Sequence, residues 1–136
     1  MKNFRLSIAI ALLSCTIIFP GCTKDSSTTP DSTTRASFLG NWLASPTKST
    51  YDVTISADPN SSNGVFIANF NLVGFSYPPA SASISGNKIT LDANQVIGAG
   101  ITVNGSGTLS GTKILWNYTT FDGADLTTVK ETYTKQ

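Results

Sequence analysis

The chain contains no histidine. That removes the commonest general base, proton shuttle and transition-metal ligand together, so hydrolytic triads and zinc sites are close to excluded. It has two cysteines, Cys15 and Cys22, and none after them. The rest of the chain must therefore be held by packing and sheet hydrogen bonds, without a disulfide. Charge is scarce too: nine basic and eight acidic side chains in 136 residues. No Lys/Arg cluster exists to neutralise phosphates, which leaves nucleic acid without an electrostatic handle. Long apolar runs are also missing. The one candidate, Leu6 to Phe19, has about fourteen residues, fewer than the roughly twenty that span a bilayer.

What that short run does offer is an export signal. Met1-Lys2-Asn3-Phe4-Arg5 supplies a basic start, the apolar run comes next, and the small residue Gly21 stands directly before Cys22. This is the layout of a secretory leader. The ending Ile18-Phe19-Pro20-Gly21-Cys22 resembles the lipobox of bacterial lipoproteins, in which the cysteine is diacylated and becomes the mature N-terminus. Phe19 and Pro20 stand where that family prefers Leu and a small residue; Leu12-Leu13-Ser14-Cys15 fits those positions better, with a shorter apolar run. An ordinary cleaved leader with an incidental cysteine is the remaining alternative. Thr23-Lys24-Asp25 and the Ser/Thr tract behind it resemble the signal by which some Gram-negative bacteria send lipoproteins to the cell surface. The resemblance implies lipidation at Cys22 and a cell-envelope location, anchored to the outer membrane. Acyl chains at about 0.8 kcal/mol per buried methylene would hold the protein without a spanning helix.

On this reading residues 1–21 are a signal peptide, 22–35 a lipidated cysteine with its tether, and 36–136 one folded domain. Removing 21 residues from 136 leaves 115, with seven basic and eight acidic side chains once Lys2 and Arg5 are gone. That is enough for one modest core. Eight of the thirteen residues from Thr23 to Arg35 are Ser or Thr, too polar to offset their ordering entropy. As a flexible coil they would reach about 20 Å. Asp31-Ser32-Thr33 also resembles an O-glycosylation acceptor of some of the same bacteria, with a plain linker as the alternative.

From Phe38 onward the pattern predicts β structure. Segments rich in Val, Ile, Thr, Tyr and Phe alternate with Gly, Asn, Asp and Pro punctuation, and no stretch sustains a helical repeat. Eight strands are expected, over about 38–44, 50–57, 65–73, 80–85, 88–92, 100–109, 112–121 and 125–135. The Gly86-Asn87 pair is the clearest hairpin turn. The facing of the third strand is ambiguous, because Val65 and Ile67 compete with Phe66, Phe70 and Leu72 for the core. Gly105 and Gly107 fall on an apolar face, where glycine marks a bend or a close approach. Short connections favour antiparallel neighbours, so the expected fold is all-β, an eight-stranded antiparallel up-and-down barrel without exposed edges. A two-sheet β-sandwich is the alternative.

Phe38-Leu39-Gly40-Asn41-Trp42 contains the Gly-x-Trp that lipocalin-like barrels carry at the start of their first strand. The stretch 38–136, with Gly105-Ser106-Gly107, Trp116-Asn117-Tyr118 and Thr132-Tyr133-Thr134-Lys135, resembles small lipocalin-like lipoproteins of Gram-negative bacteria. The resemblance implies that Gly40 and Trp42 form the barrel base. Such barrels supply a late Arg over that Trp; here Arg35 lies upstream, so Lys113, Lys130 or Lys135 would have to cap the indole.

Candidate sites are few. Alternation along the last strand puts Glu131 inward between Val129 and Tyr133. A carboxylate inside a small barrel is costly unless paired or hydrogen-bonded, so Glu131 is a candidate ligand anchor; a bulge that turns it to solvent is the alternative. Trp116, Tyr118 and Tyr133, together with Trp42 and Tyr51, line a cavity or pack a core. Asp58-Pro59-Asn60 with Asn63-Gly64 lacks the spacing of a calcium loop and reads as a polar turn. Asp122 and Asp125 flank a glycine turn, where Asp is favoured for backbone reasons. Asn60, Asn104 and Asn117 begin Asn-x-Ser/Thr sequons with no expected acceptor role in a bacterial lipoprotein. No catalytic residue, metal or cofactor is expected. The function expected is a non-catalytic binding module for a small apolar ligand, a glycan or a protein partner; the alternative is a structural envelope subunit with a solid barrel.

Overall fold

The computed structural model describes residues 32–46 and 49–136. The expected leader, Cys22 and most of the expected tether lie outside the described residues. The described chain forms an eight-stranded closed antiparallel β-barrel with one extra strand. The elements are α1 (Ser32–Phe38), β1 (Gly40–Ser45), β2 (Tyr51–Ala57), β3 (Gly64–Ala68), β4 (Ala80–Ser85), β5 (Lys88–Leu91), β6 (Gln95–Ile97), β7 (Ile101–Ser110), β8 (Lys113–Phe121) and β9 (Leu126–Lys135). Strands β1 to β5 pair in sequence order, β1 pairs with β9, and β8 and β7 come next beyond β9. The sheet closes where β5 meets β7, with Ile89 opposite Gly107. Closure removes the sandwich alternative.

Alternation decides what lies inside. Trp42 and Ala44, Tyr51, Val53 and Ile55, Ala80, Ala82 and Ile84, Ile89 and Leu91, Ile114, Trp116 and Tyr118 all face a single core. The Gly86-Asn87 hairpin forms as expected, with Gly86 at φ +57 and Ser85 opposite Lys88. The strand order also sorts the loops. The β2–β3, β4–β5 and β7–β8 turns and the C-terminus sit at one end, and the segments between β1 and β2, β3 and β4, and β8 and β9 sit at the other.

The first end is closed by the start of the domain. Among the residues of the expected tether, 32–35 are helical, and α1 buries Phe38 completely. No helical period marks this stretch; tertiary contacts order it instead. Arg35 Nη1 donates to Ser61 O at 2.7 Å, and Trp42 Nε1 donates to Phe38 O at 2.8 Å. Lys135 fills the capping role: its Nζ lies 5.4 Å from the Trp42 ring centroid and donates to Ser37 O at 2.9 Å. A cation over an indole face is favourable by the ring quadrupole.

Two further differences from the expected parse have local causes. The fifth and sixth strands are separated by β6, which runs beside the first residues of β7. Gln95 allows this, because its amide imitates a peptide: Oε1 accepts from Ser81 N and Nε2 donates to Ser81 O, both at 2.6 Å. The third strand stops at Ala68 rather than near residue 73. Asn69, Asn71 and Leu72 adopt left-handed backbone at φ +61, +55 and +57, a conformation that asparagine tolerates but that is costly for leucine. The reversal breaks alternation, so Val65 and Ile67 point inward from the strand, Phe70 points inward from a 3₁₀ turn, and Leu72 is left exposed. No helix among the described residues is long and apolar enough to cross a membrane.

Candidate functional site

The interior chemistry converges on Glu131. On β9 it lies between Val129 and Tyr133, and the register sets Trp116 of β8 directly opposite. The ladder is unbroken there, so no bulge turns the carboxylate outward. It is 6 % exposed. Ala44 stands opposite both Tyr51 and Tyr133 in the rows that join β2, β1 and β9. A small side chain between two phenols lets both lean toward the carboxylate.

Two hydroxyls satisfy much of it. Tyr118 Oη donates to Oε1 at 2.7 Å, and Tyr51 Oη lies 2.9 Å from Oε2 and 3.1 Å from Oε1. Bonds to an ionised acceptor are the short, strong kind. Tyr118 Oη is also 2.9 Å from the Asn71 amide oxygen position. One proton cannot serve both, so it goes to the carboxylate and the Asn71 amide turns its nitrogen to the phenol. No Lys or Arg among the described residues forms an ion pair with Glu131. Nearby, Trp116 Nε1 and Tyr133 Oη are buried with no hydrogen-bond partner.

Burial, then the negative charge of Glu131, pushes the Tyr51 and Tyr118 hydroxyls well above the usual phenol range; burial raises Tyr133 as well. Since the folded values are raised, the stability these groups contribute is fully present below pH 10 and is lost as pH rises past it. Three protons are at stake, so a loss on the order of 2–3 kcal/mol is expected by roughly pH 10.5. Denaturant unfolding between pH 9 and 11, monitored with tyrosinate absorbance, checks this. A flat stability profile would contradict the cluster.

Phe70 covers the cluster from the open end. Its ring lies 4.7 Å from Tyr118, 5.1 Å from Trp116 and 6.3 Å from Tyr133, centroid to centroid. It is held there by Asn69, whose Nδ2 donates to Asp52 O and whose Oδ1 accepts from Gly74 N, both at 2.7 Å. Glu131 also lines a cleft in the side of the barrel. Pairing of β1 with β9 ends at Ser45 opposite Thr132, and the next residue, Pro46, lacks an N–H. An open cleft of about 430 Å³ lies at this seam, lined by Ser45, Pro46, Leu115, Trp116, Lys130, Glu131 and Thr132.

The expected sites therefore separate. Glu131, Trp116, Tyr118 and Tyr133 come together, with Tyr51 beside them; Gly40 and Trp42 lie at the closed end, and Cys22 lies outside the described residues. Phe70, Asn69 and Asn71 were not legible as site residues; the asparagine-rich Asn69-Phe70-Asn71 was the available signal, since Asn tolerates left-handed backbone. Asp122 Oδ1 accepts from Asp125 N and Ala124 N, which hold its carboxyl below the usual range as a turn cap. Asp58 caps Asn60 N likewise. Among the described residues no group of three His, Cys, Asp or Glu side chains is placed to hold a metal. No family model, no curated protein and no solved structure matches this chain.

Proposed function

We propose that this protein is a membrane-anchored, non-catalytic binding module, lipidated at Cys22, whose binding site is the side cleft at Glu131. One observation carries the binding reading: a carboxylate buried among aromatic rings, with no partner cation among the described residues, on a residue that lines an open cleft. Burying such a group costs several kcal/mol, so a fold does not gain stability by keeping it uncompensated. A site that needs the charge gives it a purpose. The chain enters the barrel at its closed end through α1, so a tether attached there presents the open end away from the membrane.

A second reading, an accessory envelope subunit with a solid barrel, is favoured by Phe70, which fills the open end with a fully buried ring. Small molecules carried through purification distinguish the two. Mass spectrometry of the wild-type protein should find a bound species that Glu131→Gln does not carry, and its absence from both would favour the solid barrel. The anchor is tested separately. Cys22→Ser should move the protein from the membrane fraction to the soluble one, since the acyl chains supply the attachment; unchanged fractionation would contradict lipidation there.

A further inference from the structure

The chemistry of the cleft narrows what it takes. We propose that it binds a small organic monocation, an ammonium group seated on the Glu131 carboxylate with its apolar body against the cleft wall; this rests on the binding reading above.

Proton counting gives the first reason. A carboxylate offers about four acceptor positions, and Tyr51 and Tyr118 bring one hydroxyl proton each. Acceptor capacity and negative charge both remain. An ammonium supplies the charge and further donors, whereas a neutral ligand supplies donors only and an anion is repelled.

The walls agree. Trp116 lines the cleft beside Glu131, with Phe70, Tyr118 and Tyr133 packed against it, and an aromatic face stabilises a desolvated cation. Trp116, Pro46 and Leu115 add apolar surface within the cleft. Trp116 lines the cleft and its Nε1 is buried without a hydrogen-bond partner, which leaves a donor for a ligand that carries an acceptor as well as its charge. Lys130 also lines the cleft. Its side chain is exposed and forms no ion pair with Glu131, so its stem covers apolar surface while its head stays in water. A positive rim over one buried negative charge selects a single charge and disfavours dications. At about 430 Å³ the cleft lies within the size range of small-molecule sites.

The test is calorimetric titration of the purified full-length protein with three probes of one shape: benzylamine, benzyl alcohol and benzoate. Benzylamine should bind at least tenfold more tightly than either of the others. In Glu131→Gln, which keeps the side-chain shape and an acceptor for both phenols, amine and alcohol should bind alike. The wild-type comparison stands even if that variant fails to fold. Alcohol or benzoate binding as tightly as the amine would overturn the monocation proposal while leaving a binding site in place. No binding by any probe would overturn the site as well.

Discussion

Gly105→Ala should cost the barrel about 5 kcal/mol, close to the whole stability of a small domain. Gly105 sits opposite Tyr118 in the β7–β8 ladder at φ +154. A Cβ built there would lie 2.4 Å from both Tyr118 Cα and Cβ, and 2.6 Å from Asn117 O. These atoms belong to the neighbouring backbone or its first side-chain carbon, so no rotamer change relieves the clash. Relief requires β7 and β8 to part. Overpacking of about 1–3 kcal/mol and backbone strain of about 1–3 kcal/mol then add. Gly111→Ala is the control, because its φ of +61 is strained but nothing lies within 4 Å of the built Cβ; it should cost only about 1–2 kcal/mol. Urea unfolding of both variants checks the contrast. Equal losses would mean that the close approach at Tyr118 does not limit the fold. Because Tyr118 donates to Glu131, any folded fraction of Gly105→Ala should also bind the amine poorly.

Phe70→Ala should cost about 3–5 kcal/mol, the usual range for removing a buried aromatic ring. The ring touches Trp116, Tyr118 and Tyr133 at once, and its backbone is fixed by left-handed neighbours and by Asn69, so collapse into the space is limited. The strain at Asn71 and Leu72 persists in the variant without the burial that offsets it. Denaturant unfolding measures the loss. A cost below about 1 kcal/mol would show that the ring does not plug the open end. Phe70→Leu, which restores much of the apolar volume, should recover more than half of the loss.

These two positions also show how far the sequence can be read. Gly105 and Gly107 announce a close approach because glycines interrupt an otherwise apolar face, and the structure identifies what approaches: Tyr118 and Trp116 across the ladder. Glu131 was legible for a related reason. Strand parity is a strict period, and an unbroken β8–β9 register carries it through to Tyr133. Lys135 was one of three possible caps for Trp42, and only tertiary geometry could choose among them.

Phe70 was not legible as a plug. Its inward direction depends on left-handed residues on either side of it, one of them Leu72, and leucine carries no local preference for that conformation. Likewise α1 lacks a helical apolar period; it exists because Phe38 is buried and Arg35 reaches Ser61. The strand β6 rests on a side chain standing in for a backbone, which no propensity encodes. In each case contacts from elsewhere in the chain override the local pattern.

The central claim is that Glu131 and the rings around it form a cation site open from the side. The chain has two tryptophans, and they make an internal comparison. Trp42 Nε1–H is bonded to Phe38 O at the closed end, while Trp116 Nε1–H is unpartnered beside Glu131. A ¹H–¹⁵N NMR titration with benzylamine reads both indoles at once. The resonance of Trp116 should shift progressively and saturate while that of Trp42 stays fixed, and benzyl alcohol should need at least tenfold higher concentrations to move Trp116. If both indoles drift together, or Trp116 does not move, the claim is contradicted.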